Sequence, residues 1–286
     1  MKRACSAFFD IMTAMTKIKL ISLDLDGTLL NREKKISAEN LAALTEARAA
    51  GVTVILNTGR PLVSAQEYLN ALGLTDARDY SIFLNGGLVL SADGEKLLEK
   101  NLTFDEVQEI LSVAAALDLP ADIISEKNSY TVENDRPSRL SYVNNTLTFQ
   151  KTTADELTDD KSYNKLILSA DKELLDTALA GFSADFLNKF EVVKTRDILM
   201  EIMPKGVTKG AGLAYLAGKL GISSNEILAM GDEDNDISML EFAGYGTAPA
   251  NANPKAKAAA KFVTDATNDE NAVAEAVRKF VLNDEA

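Results

Sequence analysis

The sequence predicts an α/β fold: a doubly wound, Rossmann-like parallel sheet interrupted by an inserted α+β domain. Three observations predict it. Apolar strand segments alternate with helical segments over residues 17–87. That rhythm gives way to shorter strands and fewer helices over about 88–203. It returns after Pro204 and continues to the C-terminus. The expected division is a core formed by 17–87 and 204–286 with an insert at 88–203, in keeping with the two domains that 286 residues suggest.

The elements follow in order. "KIKLISLDL" (17–25) reads as a buried strand. Residues 37–51 read as a helix, with Ser37 as N-cap and Gly51 as its stop. "VTVILN" (52–57) is a second strand, and 61–73 a second helix with Pro61 at its first position. "YSIFLNGG" (80–87) is a third strand. In the insert, Thr103 and Glu106 form a capping box for a helix over 103–119. The strand candidates "ADIIS", "SYTVEN", "SYVNN", "TLTFQ" and "KLILSA", a helix at 171–181, and the strands "FEVVKTR" and "ILMEIMP" complete it. The returning core has a helix at 208–221, the strand "EILAMGD" (226–232), a helix at 236–244, short strands "YGTAPA" and "KFVT", and a closing helix.

Composition removes several function classes. The chain is 46% apolar and 26% charged, an ordinary globular balance, and no run approaches the roughly 18 apolar residues of a membrane span. A net charge of −13 argues against general nucleic-acid binding, which needs a basic face. A local cleft with a few cations or a metal can still take an anionic substrate. With no histidine, a Ser-His-Asp triad, a histidine base and a His-based zinc site are excluded. Catalysis must run on carboxylates, Lys, Arg and hydroxyls, and any metal is held by oxygens, which favours Mg2+. The lone Cys5 allows no intrachain disulfide, so a reducing cytoplasm is the default location. Residues 1–16 read as an N-terminal extension, either a start-site choice before Met15 or a poorly ordered segment.

Sites in open parallel sheets form beyond the carboxyl ends of the strands. Four predicted strand ends here carry polar groups: Asp24 and Asp26; "NTGR", Asn57 to Arg60; "NGG", Asn85 to Gly87; and "GDEDND", Gly231 to Asp236. Each has an ordinary explanation. Asp-Gly marks turns, "NTGR" can simply open a helix, "NGG" is a tight strand exit, and acidic residues suit a helix start. "NTGR" also suits an anion site, with free amides and the Thr58 hydroxyl. Lys209 sits in a helix first turn, where the dipole disfavours a cation unless an anion lies nearby. Asp232, Glu233, Asp234 and Asp236 exceed what capping needs. A Mg2+ site sharing Asp24 and the Asp26 backbone carbonyl would explain Asp232.

Assembled, these residues resemble the haloacid-dehalogenase (HAD) superfamily of phosphotransferases, in particular the Cof-type phosphatases with a IIB-class cap. DLDGT at Asp24–Thr28, TGR at Thr58–Arg60, Lys209 in "KGVTKG" and GDxxND at Gly231–Asp236 match its four motifs in order. The resemblance runs from about Lys17 onward. It implies that Asp24 is the nucleophile, forming an aspartyl-phosphate, and that Asp26 is the general acid and base. It implies that Lys209, Leu25, Thr58, Gly59, Arg60 and Asn235 hold the phosphoryl group, and that Asp24, Asp26 and Asp232 hold Mg2+. Asp236 would orient Lys209 or a metal-bound water. The chain departs from the family at "NGG" for an NGA-type turn, at "APANA" (Ala248 to Ala252) and at Ala272-Val273.

The leading expectation is a Mg2+-dependent phosphatase of a small phosphorylated metabolite, a sugar phosphate, with the insert as lid. A phosphohexomutase-like phosphotransferase and a non-catalytic ligand-sensing regulator are the alternatives. Asn128, Tyr130, Tyr142 and Lys165 in the insert are candidates for reading the leaving group, and each equally fits a structural role. No nucleic-acid or membrane partner is expected. Monomer and homodimer are not distinguished.

Overall fold

A computed structural model of the protein describes residues 18–282. The extension expected over 1–16, with Cys5, lies outside these residues.

The core is a five-stranded, all-parallel sheet. Its strands are β1 (Leu20–Leu23), β2 (Thr53–Leu56), β12 (Ile227–Met230), β13 (Tyr245–Ala248) and β14 (Phe262–Val263), in the order β14-β13-β12-β1-β2. β1 sits between β12 and β2, with Leu20 opposite both Ile227 and Thr53. Successive side chains of a strand point to opposite faces, and both faces are covered here. Ile21, Leu23, Val54 and Leu56 pack with Ala43 and Leu44 of α1 (Ala38–Ala49) and Val273 and Val277 of α9 (Ala272–Val277). Leu20, Ile55 and Ala229 pack on the other face with Leu213 and Leu216 of α7 (Lys209–Leu220) and Met239 of α8 (Ile237–Phe242). This double cover is why β1 reads as an unbroken apolar run. It also leaves the carboxyl ends of β1 and β12 side by side.

The third strand behaves differently from expectation. β3 (Tyr80–Phe83) joins β2 through a single parallel bridge, Asn57 to Ile82. Leu84, Asn85 and Gly86 then all adopt positive φ (55°, 56° and 95°) and reverse the chain. β4 (Leu88–Ser91) and β5 (Lys96–Glu99) therefore return antiparallel to β3. These strands extend β3 rather than opening the insert, so the expected boundary at 88 falls too early. Gly86 is required here: a Cβ would lie 2.1 Å from the Thr208 carbonyl at the start of α7.

Two other local expectations are corrected. The helix at 61–73 is split into a 3-10 turn, Leu62–Ser64, and α2 (Gln66–Ala71). Pro61 has ψ 160° and stands outside as the N-cap, so it is not the first helical residue. "SYVNN" is not a strand. Leu140–Val143 form the short helix α4, because Ser138 Oγ accepts from the Leu140 amide and Asn144 Oδ1 accepts from the Thr146 and Leu147 amides. Such local side-chain bonds outcompete a ladder.

The insert, or cap, is a six-stranded sheet in the order β10-β11-β9-β6-β7-β8. Its strands are β6 (Ala121–Ser125), β7 (Asn128–Val132), β8 (Thr148–Thr152), β9 (Lys165–Ser169), β10 (Phe190–Arg196) and β11 (Leu199–Pro204). Ile123, Leu166, Leu168, Met200 and Ile202 pack outward under α3 (Phe104–Ala116), α5 (Lys172–Gly181) and α6 (Ala184–Lys189). The alternate residues Ile124, Ile167 and Leu199 belong to the same apolar cluster as Leu140, Leu147 and core Tyr68. The cap therefore roofs the carboxyl edge of the core sheet.

Candidate active site

Four buried charges meet where β1 and β12 end. Asp24 is 7% exposed, Asp232 7%, Asp236 0% and Lys209 1%. Lys209 Nζ donates to Asp24 Oδ1 at 2.5 Å and to Asp236 Oδ1 at 2.6 Å. Asp236 Oδ2 accepts from the amides of Asp232 and Glu233, both at 2.9 Å. Thr28 Oγ1 donates to Asp232 Oδ1 at 2.8 Å. Gly27, at φ 80°, lets the strand-end turn lie against Asp232; a Cβ there would sit 2.2 Å from Asp232 Oδ2. The awkward position of Lys209 in the first turn of α7 is thus resolved by the protein's own anions, Asp24 and Asp236.

Titration of this cluster follows from burial and from unequal pairing. Burial pushes Asp24 up to about 7, with Lys209 opposing and Asp236 and Asp26 adding to the shift. Burial and the Asp24 and Asp236 charges push Asp232 up to about 8. For Lys209, burial favours the neutral amine, but Asp236 and Asp24 outweigh it and raise its pKa. The opposite preferences of Asp24 and Lys209, one partner resisting charge and the other holding it, have a simple origin. Lys209 has two carboxylates to itself, whereas Asp24 shares one cation and faces other acids. The cluster is short of positive charge.

That shortage is the test of a metal. Carboxylate oxygens of Asp24, Asp232 and Asp236 lie within 4.8 Å of one another. Both oxygens of Asp236 are occupied by Lys209 and two amides, which makes it a brace rather than a ligand. Asp24 Oδ1 is taken by Lys209 and Asp232 Oδ1 by Thr28. The donor set, all hard oxygen and deficient in positive charge, fits a divalent cation such as Mg2+.

Asp26 has a different environment. Arg60 grips it bidentately, Nε to Oδ2 and Nη2 to Oδ1, both at 2.8 Å. Lys34 Nζ donates to Oδ1 at 2.6 Å, and Arg196 of the cap stands 3.9 Å away. Burial raises the Asp26 pKa, but Arg60 and Lys34 overcome it and hold the carboxyl well below the usual range. The guanidinium of Arg60 therefore faces Asp26. Thr58 is buried and its Oγ1 accepts from the Arg60 amide at 3.2 Å. Asn235 donates to Asn85 Oδ1 at 3.0 Å.

Asp24, Asp26, Thr58, Gly59, Arg60 and Asn235 all line a cleft of about 360 Å³ between core and cap. Ile124, Leu140, Val143, Leu147 and Ile167 form its apolar wall, and Lys165, Thr195, Arg196 and Glu201 add polar groups from the cap. Of the cap candidates from sequence, only Lys165 lines the cleft. Sequence reasoning missed Lys34, Arg196, Asn251 and Asn253. Asn251 Nδ2 holds the Gly27 carbonyl at 2.8 Å, and the Asn253 amide donates to the Asp232 carbonyl at 3.0 Å. The signal was present: "APANAN" follows the end of β13, a fifth strand end on the same edge.

A family model for haloacid dehalogenase-like hydrolases matches residues 21–277. The chain belongs to that family, and within it the chain is a phosphatase of Cof type. A Streptococcus pyogenes protein named as a phosphatase is 34% identical over 271 residues, covering 93% of this chain and 99% of its own. The 5-amino-6-(5-phospho-D-ribitylamino)uracil phosphatase of Bacillus subtilis is 31% identical over 93% of this chain and 96% of its own. In fold, a solved HAD subclass IIB sugar phosphatase superposes with a TM-score of 0.75 at 24% identity, over 92% of this chain and 98% of that one.

Proposed function

We propose that the protein is a Mg2+-dependent phosphatase of small phosphorylated metabolites, sugar phosphates among them, working in the cytoplasm through an aspartyl-phosphate. The observation that carries the reading is the buried Asp24–Lys209–Asp236 chain beside Asp232, which meets the cleft under the cap at Asp24. Asp24, Asp232 and the Asp26 backbone carbonyl would hold Mg2+, which would neutralise charge on the transferring group. Nothing in this chemistry calls for histidine.

The side-chain roles follow those that the family resemblance implies. A carboxylate oxygen of Asp24 attacks phosphorus as the phosphorus–oxygen bond to the leaving group breaks. Asp26 gives a proton to the departing oxygen. Its carboxylate then takes a proton from water, whose oxygen attacks the same phosphorus and releases inorganic phosphate and free Asp24. Lys209, braced by Asp236, and the Thr58–Gly59 loop stabilise the phosphoryl oxygens. In the arrangement described, Arg60 and Lys34 keep Asp26 ionised. An incoming dianionic phosphoryl group competes for those cations and frees Asp26 to carry a proton.

The substrate class draws on the cleft and on a relative. The cleft suits one small leaving group, lined by apolar residues and by hydroxyl-compatible Asn144, Asn145, Thr146 and Thr195. The Bacillus subtilis relative is named for a phosphate on a ribityl chain, again an alcohol-rich leaving group. A sensor would have no use for the buried Asp24–Lys209 pair. A phosphomutase would show a requirement for a bisphosphorylated activator. The test is hydrolysis of p-nitrophenyl phosphate and a panel of sugar and polyol phosphates with Mg2+. Asp24→Asn is expected to reduce turnover by at least about 10³-fold while keeping the circular dichroism of the parent. Substantial turnover by that variant would overturn the nucleophile assignment.

A further inference from the structure

The cap's inner face is mixed, with Ile124, Ile167 and Leu199 beside the buried polar residues Asp122, Ser129, Thr131 and Ser169, and it carries one buried ion pair. Lys165 on β9 and Glu201 on β11 have side chains only 3% and 8% exposed, and Nζ lies 2.5 Å from Oε2. Such a pair adds little to stability by itself, because desolvation offsets attraction. Its other bonds are what set it apart. Lys165 Nζ donates to the Gly59 carbonyl of the core at 2.9 Å. Glu201 Oε2 accepts from Asn85 Nδ2 of the core at 2.8 Å, and Oε1 from Thr195 at 3.1 Å. Asn85 Oδ1 accepts in turn from Asn235 Nδ2 at 3.0 Å.

The bonds form one chain: Gly59 carbonyl, Lys165, Glu201, Asn85, Asn235. Its ends are the two core loops assigned above to the phosphoryl oxygens, and its middle belongs to the cap. The Gly59 carbonyl and the Arg60 N–H share one peptide plane, and that N–H donates to Thr58 Oγ1. Gripping the carbonyl therefore orients the Thr58 hydroxyl. At the other end, Glu201 fixes which side of the Asn85 amide faces Asn235, and so the direction of the Asn235 amide.

We propose that Lys165 and Glu201 are positioning residues: from the cap, they set the shape of both phosphate-holding loops of the core. The phosphoryl site is then complete only when the cap is docked. This rests on the phosphatase reading above, and it separates loop-setting from leaving-group recognition, the role expected of cap residues facing the cleft.

The decisive variant is Lys165→Met with Glu201→Gln, which removes both charges together and leaves neither buried alone. Glu201→Asp by itself, which keeps the charge pair but shortens the reach to Asn85, is the milder companion should the double variant fail to fold. With Mg2+, kcat is expected to fall about 10- to 100-fold on p-nitrophenyl phosphate and on every larger phosphoester alike. Inhibition by orthovanadate is expected to weaken by a similar factor, with thermal unfolding near that of the parent. A loss confined to bulky substrates would make the pair a leaving-group reader and overturn the proposal. A lower Tm with vanadate affinity and kcat unchanged would make it purely structural and overturn it equally. If the parent hydrolyses nothing, the phosphatase reading fails first. Orthophosphate binding with Mg2+, by calorimetry, then still decides the latch: weaker binding by the variant supports it and equal binding refutes it.

Discussion

Magnesium should stabilise this fold, and more so in base than in acid. When ionised, the buried cluster holds three carboxylates (Asp24, Asp232, Asp236) and one ammonium (Lys209), a formal −2 that a divalent cation cancels. Asp24 titrates near 7 and Asp232 near 8 in the folded, metal-free protein, against 3.8 for an ordinary aspartate. Raised values mean that folding takes up protons. The stability contributed by these groups is full below about pH 4 and is lost as pH climbs through 7 to 8. Mg2+ reverses this, because it needs the deprotonated acids. At 100 times Kd, binding adds about 2.7 kcal/mol, or roughly 5–10 °C in Tm for a chain of this size. Each pH unit below the folded pKa weakens binding about tenfold per proton displaced. Scanning fluorimetry in MgCl2 against chelator should therefore show the full shift at pH 8.5 and almost none at pH 5.5. A shift equal at both, larger at pH 5.5, or retained in Asp232→Ala would refute this reasoning.

Two stability tests address the framework. Gly86→Ala places a methyl 2.1 Å from the Thr208 carbonyl at φ 95° and should cost about 2–4 kcal/mol by chemical denaturation. At Gly87 the methyl would meet the Leu84 carbonyl at 3.2 Å with ordinary backbone, so Gly87→Ala should stay within about 1 kcal/mol. Equal costs would show that the closeness of Gly86 to α7 is not what selects glycine. In the cap, Asp122 is wholly buried and accepts from Ser129, Thr131 and Ser138. Asp122→Ala strands three hydroxyls and should destabilise by about 2–5 kcal/mol, read from the urea midpoint; a neutral result would mean that the hydroxyls find other partners.

The core and its motifs were legible because their causes are local. An apolar run covered on both faces ends in Asp24, and the same edge collects Thr58, Lys209 and Asp232 whatever the loops do. What escaped depends on distant residues of ordinary type. Lys34 and Arg196 read as solvated surface cations until Asp26 is seen between them. Lys165 and Glu201 lie 36 residues apart on different strands, and only the sheet register brings them together. The β4–β5 hairpin was missed because "NGG" marks a tight exit without giving its direction, and positive φ at the bulky Leu84 has no sequence signature. The helix at Leu140–Val143 was missed because Ser138 and Asn144 close it through side-chain bonds that a strand pattern does not reveal.

The two crossings into the cap are short and share an anchor. Residues 100–103 lead from β5 to α3 and 205–208 from β11 to α7, four residues each. The Lys100 amide donates to the Gly87 carbonyl, while Val207 lies 3.4 Å from where a Gly87 Cβ would stand. The cap is thus a tethered partner held at high effective concentration, and most of the entropy of bringing it to the core is spent by chain connectivity. A few hydrogen bonds and one apolar contact region then suffice to dock it. Were the same cap supplied as a separate chain, those bonds would have to meet the whole cost of association.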